Sequence, residues 1–303
     1  MAPTPTSAAS ASTAVRVFLI TGCSSGFGKA YAQEALKRGH RVVATARKPE
    51  VLRDVFEGAT DDNFLAVALD VLDKAAIQAA FDAALKRFGQ IDIVVNNAGY
   101  GLSGPFEALK DEQIRRQMDV NFFGVVDVTR VAMQVMRERN KVQGGLIQQI
   151  SSIGAHFAGP QLAFYHASKW ALEGFTTSLK FEVDPSWNIH FQIICPGGFA
   201  TRWGDSGSSN VVADPHPAYP NANTEQMLKD WTATQAGDIE KGAAAMCTFA
   251  LMPDGERPFR AMVGVDAHDR YRKRADEILA EVEQHTELSR STNLPGRSSE
   301  VPF

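Results

Sequence analysis

The chain has 303 residues, 44% of them hydrophobic and 22% charged, and a formal net charge of -4. That length supports one large α/β unit with a sizeable buried core, and the composition is that of an ordinary globular protein. The small acidic charge and the lack of any Lys/Arg run exclude an electrostatic nucleic-acid binder and a membrane-surface patch, and no eighteen-residue apolar stretch exists to span a membrane.

Residues 1–14 carry no charged side chain, lack the apolar core of a signal peptide, and read as a disordered tail. Val15 to Thr21 is an apolar run that ends in glycines and reads as a buried strand. Phe27 to Arg38 has helical spacing and stops at Gly39. Strands are then expected at Arg41 to Ala46, Phe64 to Leu69 and Ile91 to Asn96, with a helix from Asp73 to Phe88 between the last two. A long helix over Asp111 to Arg139, a strand over Gly145 to Ile150, a helix over Ala163 to Glu182 and a strand over His190 to Cys195 follow. Strands alternating with helices imply a parallel sheet covered on both faces, because parallel strands need crossover connections. Ligands in such sheets bind at the carboxyl ends of the strands.

From Gly197 to Ala222 the pattern dissolves into Gly, Ser, Asn and Pro, the mark of a functional or disordered loop. Helices over Thr224 to Gln235 and Ile239 to Leu251, an edge strand over Arg260 to Val265 and a charged helix over Ala267 to His285 complete the pattern. The expected division is a tail to residue 14, a dinucleotide-binding catalytic unit over 15–286 with a lid at about 198–235, and a loose tail over 287–303. The cysteines Cys23, Cys195 and Cys247 form no Cys-x-x-Cys pair. They are expected as free thiols in a reducing compartment, with the cytoplasm as the default location.

The chemistry begins at Thr21-Gly22-Cys23-Ser24-Ser25-Gly26-Phe27-Gly28, between the first strand and the first helix. Glycines let the backbone turn close to a pyrophosphate, and the helix N-terminus offers unpaired N–H groups. An acid after the second strand would bind an adenosine ribose and favour NAD. Here Arg47 and Lys48 stand instead, and cations suit the 2′-phosphate of NADP(H). Asp70, followed by Val71, can meet an adenine or cap a helix. Asn97, Ala98 and Gly99 offer a small-residue turn against the adenosine ribose.

Tyr165 and Lys169 are spaced i, i+4 on one face of a helix. An adjacent ammonium favours the phenolate, which fits a tyrosine for proton exchange with a carbonyl or alcohol. Ser152 ends a strand and can bond the substrate oxygen. Strand alternation turns Ser151 to the other face. His156 and His166 lie nearby, but no Gly-x-Ser-x-Gly elbow surrounds Ser152 to support a hydrolase.

These residues, in this order, resemble the short-chain dehydrogenase/reductase family, and the opening strands resemble its steroid- and retinoid-dehydrogenase-like microbial members. The resemblance spans about Val15 to Ala250. It implies a single Rossmann-type, doubly wound parallel sheet with a C-terminal helical extension. It implies Tyr165 as general acid/base, Lys169 as its tuner and ribose anchor, Ser152 as partner of the substrate oxygen, and Asn121 as holder of a relay water. Pro196 and Gly197 are implied beneath the nicotinamide, near Phe199, with Thr201 on the carboxamide. The implied cofactor is NADP(H), the implied partner a small carbonyl or alcohol substrate, and the implied assembly a homodimer or homotetramer. No metal is expected. Tyr100, Phe157, Phe164 and Trp203 suggest a pocket for a bulky apolar or ring-bearing ketone. A non-catalytic NADP sensor and a redox-neutral isomerase or dehydratase are the alternatives on the same fold.

Overall fold

Strand β1 (Val17–Ile20) is buried on both faces, which is where a continuous apolar run belongs in a parallel sheet. The structure, a computed structural model, describes residues 14–52, 55–201, 203, 209–294 and 296. The expected N-terminal tail up to residue 13, part of the expected lid, and residues 295 and 297–303 of the expected C-terminal tail lie outside the described residues.

Beside β1 run β2 (Arg41–Ala46), β3 (Phe64–Ala68), β4 (Ile93–Asn96), β6 (Gly145–Ile150), β7 (Ile189–Pro196) and β9 (Arg260–Val263). Their order is β3-β2-β1-β4-β6-β7-β9, and every pairing is parallel. Strand order reverses at β1, between β2 and β4, so the carboxyl ends of β1 and β4 open a crevice there.

Helices cover both faces. One face holds α1 (Gly26–Lys37) and α7 (Ile239–Leu251), with Phe18, Ile20, Tyr31 and Met246 in a shared core. The fully buried Tyr31 donates its hydroxyl to the Met246 carbonyl at 3.2 Å, so its polar end is not left dry. The other face holds α2 (Lys74–Phe88), α4 (Gly124–Glu138) and α5 (Ala163–Glu182) over Leu19, Val94, Ile147 and Phe81. Each such side chain taken fully from water contributes about 1.5–3 kcal/mol. Asp73 caps α2 by accepting from Ala75 N and Ala76 N, and the helix ends at Gly89 with φ 75°.

Three elements differ from the sequence expectation. The single helix expected over Asp111 to Arg139 is two, α3 (Asp111–Met118) and α4, joined by a π turn over Asp119–Phe123. The π turn carries Asn121 inward, where it binds the backbone of Tyr100, and the extra residue breaks the α register. A second, two-stranded parallel sheet joins β5 (Gly101–Ser103) to β8 (Asn210–Val212), inside the segment read as structureless. Its strands are three residues each, too short for a periodic signal. The C-terminal extension is α8 (Val265–Gln284) followed by α9 (Thr286–Arg290), so the expected loose tail begins as helix. Helix α6 (Thr224–Ala233) lies in the expected lid. Among the described residues no helix is long and apolar enough to cross a membrane.

Candidate active site

One cleft of about 1420 Å³ lies at the carboxyl ends of the strands and takes in most of the residues singled out from sequence. Its floor begins with the Gly-rich turn. Gly22 has φ +74° and Gly26 φ +58°, a region that L side chains avoid. Gly28 does not face the cleft. A Cβ there would stand 2.3 Å from the Gly22 carbonyl oxygen, so this glycine lets α1 pack onto the turn. Ser24, Ser25, Gly26 and Phe27 line the cleft, and Ser25, the N-cap of α1, makes no side-chain capping bond. The first N–H groups of α1 are thus left for a ligand, and space above Gly26 is open to 4 Å. A dinucleotide pyrophosphate fits this donor set.

The turn is held from β4. Asn97 Nδ2 donates to the carbonyls of Thr21 at 2.9 Å and Gly22 at 3.2 Å, while Thr21 Oγ1 accepts from Asn97 N and Ala98 N, each at 3.0 Å. Asn97, Ala98 and Gly99 also line the cleft. So do Asp70, Val71 and Arg47. Asp70 accepts from Leu72 N at 3.0 Å and leaves the helix cap to Asp73. Lys48 is exposed and outside the cleft lining, because its position after Arg47 turns it to solvent; of the two cations expected near the adenosine, only Arg47 reaches the site.

Tyr165, Lys169, Ser151 and Ser152 line the same cleft from α5 and the end of β6. Lys169 is buried and donates Nζ to the Ile150 carbonyl at 2.9 Å. Burial pulls its ammonium down to about 8, against the opposing pull of Cys195 and Glu173. The Tyr165 phenol behaves contrary to the sequence expectation: burial pushes it above the ordinary tyrosine value, and only the Ser152 hydroxyl beside it pulls back. Desolvation wins because the Lys169 ammonium lies 5.9 Å from the Tyr165 ring centre and faces Ile150.

Neither histidine bonds Ser152. His166 lies with Nδ1 2.8 Å from the Gly154 carbonyl, and its Nε2 accepts from Gly159 N at 3.1 Å. It pins the loop after Ser152 to α5, and burial holds it below the ordinary imidazole value. Ser152 accepts from Gly154 N at 3.0 Å, which fixes its hydroxyl.

Asn121 is buried outside the cleft lining, and its side chain is committed. Its Oδ1 accepts from Tyr100 N, and its Nδ2 faces the Tyr100 carbonyl and Ser168 Oγ. The Asn121 side chain thus clips the π turn to the Tyr100 backbone and to α5.

Pro196, Gly197, Phe199 and Thr201 close the cleft opposite the Gly-rich turn. Phe199 is buried edge-on against Phe27, with ring centres 4.9 Å apart. Asp266 of α8 accepts from Gly198 N at 2.8 Å, and Val263 O accepts from Gly197 N at 2.9 Å, so the C-terminal extension braces this turn. Tyr100, Phe157 and Trp203 line the cleft. Phe164 does not. It packs against Leu102, Leu109 and Ala213 and stacks on Phe106, because its helical position turns it one face away from Tyr165. Trp231 of α6, which nothing in the sequence marked, takes its place. The Trp203 ring lies 5.0 Å from Tyr165 on one side and 5.0 Å from Trp231 on the other, and Met227 and Leu228 extend the apolar wall.

Comparison with known proteins matches residues 16–210 to the short chain dehydrogenase family. An uncharacterized oxidoreductase of Schizosaccharomyces pombe is 38% identical over 275 residues, covering 90% of each chain. A short-chain dehydrogenase from Streptomyces avermitilis superposes with TM-score 0.81 at 33% identity, over 93% of this chain and 100% of that one. A 3-ketoacyl-(acyl-carrier-protein) reductase from Brucella melitensis, solved with NADH, gives TM-score 0.67 at 28% identity over 83% and 98%. By sequence and by fold, then, the chain is an oxidoreductase that belongs to the short-chain dehydrogenase family.

Proposed function

We propose that the chain is an NADP(H)-dependent ketoreductase acting on a bulky apolar or ring-bearing carbonyl compound. The observation that carries this reading is convergence: Tyr165, Lys169 and Ser152 share one cleft with the Gly-rich turn and Arg47. Gly22, Ser24, Ser25 and Gly26 would hold the pyrophosphate, Arg47 the 2′-phosphate, Asp70 and Val71 the adenine, and Pro196, Gly197 and Thr201 the nicotinamide end. When bound, the nicotinamide supplies the hydride.

Ser152 holds the substrate carbonyl oxygen, and Tyr165 donates its phenolic proton to that oxygen as negative charge develops. A phenol pushed up by burial stays protonated at neutral pH, which suits the acid of the reductive direction. Lys169, positioned by the Ile150 carbonyl, supplies a positive charge to the same cleft. Trp203, Trp231 and Met227 exclude water and present an apolar wall to the rest of the substrate.

A spectrophotometric screen of cyclic, aromatic and long-chain ketones with NADPH and NADH tests the reading. Turnover of ring-bearing ketones with clear NADPH preference is expected. NADPH binding without oxidation by any carbonyl compound would leave a non-catalytic binder instead.

A further inference from the structure

Glu173 lies on α5 one turn beyond Lys169 and two beyond Tyr165, so the three form one stripe of the helix. It is buried and lies outside the cleft lining. Its carboxylate is nonetheless held from three other elements. Arg260 on β9 donates Nε and Nη2 to Oε2, each at 2.7 Å. Cys195 on β7 donates its thiol to Oε1 at 3.1 Å, and His156, just after the 3₁₀ turn over Ile153–Ala155, brings Nε2 to 3.3 Å from the same oxygen. Tyr271 of α8 packs edge-on against the His156 ring at 4.7 Å.

Cys195, His156 and Arg260 lie within three residues of the cleft lining along the chain. Cys195 precedes Pro196, His156 follows the Ser152 loop, and Arg260 begins the strand that ends at the Val263 carbonyl. A carboxylate bound this way stays ionised: despite burial its neighbours hold it down to about 2. The titratable groups near Lys169 among the described residues are the Cys195 thiol and this carboxylate, with the Tyr165 ring centre 5.9 Å from its Nζ. Burial pushes the thiol well above its ordinary value and keeps it neutral, so among the described residues the fixed negative charge acting on Lys169 is Glu173's. The groups facing Glu173 are His156, Cys195 and Arg260, with Tyr271 beyond them.

We propose that Glu173 is a positioning residue for Lys169: a buried carboxylate, anchored by Arg260, Cys195 and His156, that keeps the lysine charged inside an otherwise dry site. A buried ammonium with only a carbonyl partner sheds its proton easily, and a fixed anion one helical turn away opposes that loss. The role rests on the function given to Lys169 above, so it is read on the lysine itself.

The experiment is competitive labelling of the full-length protein with trace acetic anhydride across roughly pH 6 to 11, with Lys169 acetylation followed by mass spectrometry. It needs no substrate, so a failure to find a ketone and a failure here are separate results. Glu173→Gln is expected to lower the Lys169 midpoint by about one pH unit or more. Glu173→Asp, which keeps the charge, is expected to restore most of it. Arg260→Met removes a cation and keeps the acid, so it moves the midpoint upward; it also serves if Glu173→Gln does not fold. Turnover of Glu173→Gln should show the same displacement in its basic limb. A midpoint unchanged in Glu173→Gln while thermal stability falls would reduce the cluster to a structural tie. Stoichiometric zinc bound by the wild type and lost in Glu173→Gln would overturn the proposal in favour of a metal site.

Discussion

Lys169→Met separates the stability of the site from its chemistry. In the wild type, burial moves the lysine from the ordinary 10.5 to about 8. At about pH 7 the side chain is protonated in both folded and unfolded chains, and the displacement corresponds to about 3 kcal/mol against folding. Methionine has a similar length, carries no charge and fills the same slot. It loses the charge-assisted hydrogen bond to the Ile150 carbonyl, worth about 1.5–3 kcal/mol. The variant is therefore expected to gain up to about 1.5 kcal/mol in urea unfolding at neutral pH while losing turnover.

The pH dependence fixes the sign. As pH climbs past about 8 the folded chain releases its proton while the unfolded chain keeps it, so the wild type recovers stability up to about 10.5. The methionine advantage should shrink over that window and reverse above it, where only the lost hydrogen bond remains. A variant less stable than wild type at neutral pH, or an advantage that grows in alkali, would refute the burial argument.

Other expectations follow from the same geometry. Tyr165→Phe should lower turnover by at least about a hundredfold while NADPH fluorescence titration shows binding intact. Arg47→Asp should cut kcat/KM with NADPH by about 10–100-fold and leave NADH little changed; an unchanged ratio removes Arg47 from nucleotide choice. Gly28→Ala forces a Cβ within 2.3 Å of the Gly22 carbonyl, so a lower melting temperature and weaker NADPH binding are expected together. Trp231→Ala should lower kcat/KM for a bicyclic ketone about tenfold and leave a three-carbon ketone nearly unaffected, measured side by side.

The sheet was legible because parallel strands buried on both faces leave unbroken apolar runs, and β2, β6 and helices α5 and α7 fall where the pattern puts them. So was the convergence of Gly22, Asn97 and Ser152, since each follows a strand end on one side of the sheet, with Tyr165 on the first turn of the helix that comes after. What escaped depends on contacts between distant segments. Asn121 reads as an odd polar residue in a helix until the Tyr100 backbone is seen to occupy it. Phe164 borders Tyr165 in sequence yet faces another layer, because helical neighbours point about a quarter-turn apart. Glu173, Asp266 and Trp231 carry no motif. Each matters through a partner far along the chain: Arg260, Gly198 and Trp203.

The pairing of β5 with β8 has a kinetic consequence. Gly101 N reaches the Ser209 carbonyl at 2.9 Å, Ala213 N reaches Ser103 O at 2.8 Å, and Ser103 Oγ donates to Asn210 Oδ1 at 2.9 Å. The segment that leads into α6 is thereby stapled to the strand that follows the Asn97–Gly99 turn. Opening of the wall that carries α6 therefore has to pivot at β8 or break this pairing. Substitutions on α6 are then expected to change how fast that wall opens without altering Tyr165, Lys169 or Ser152.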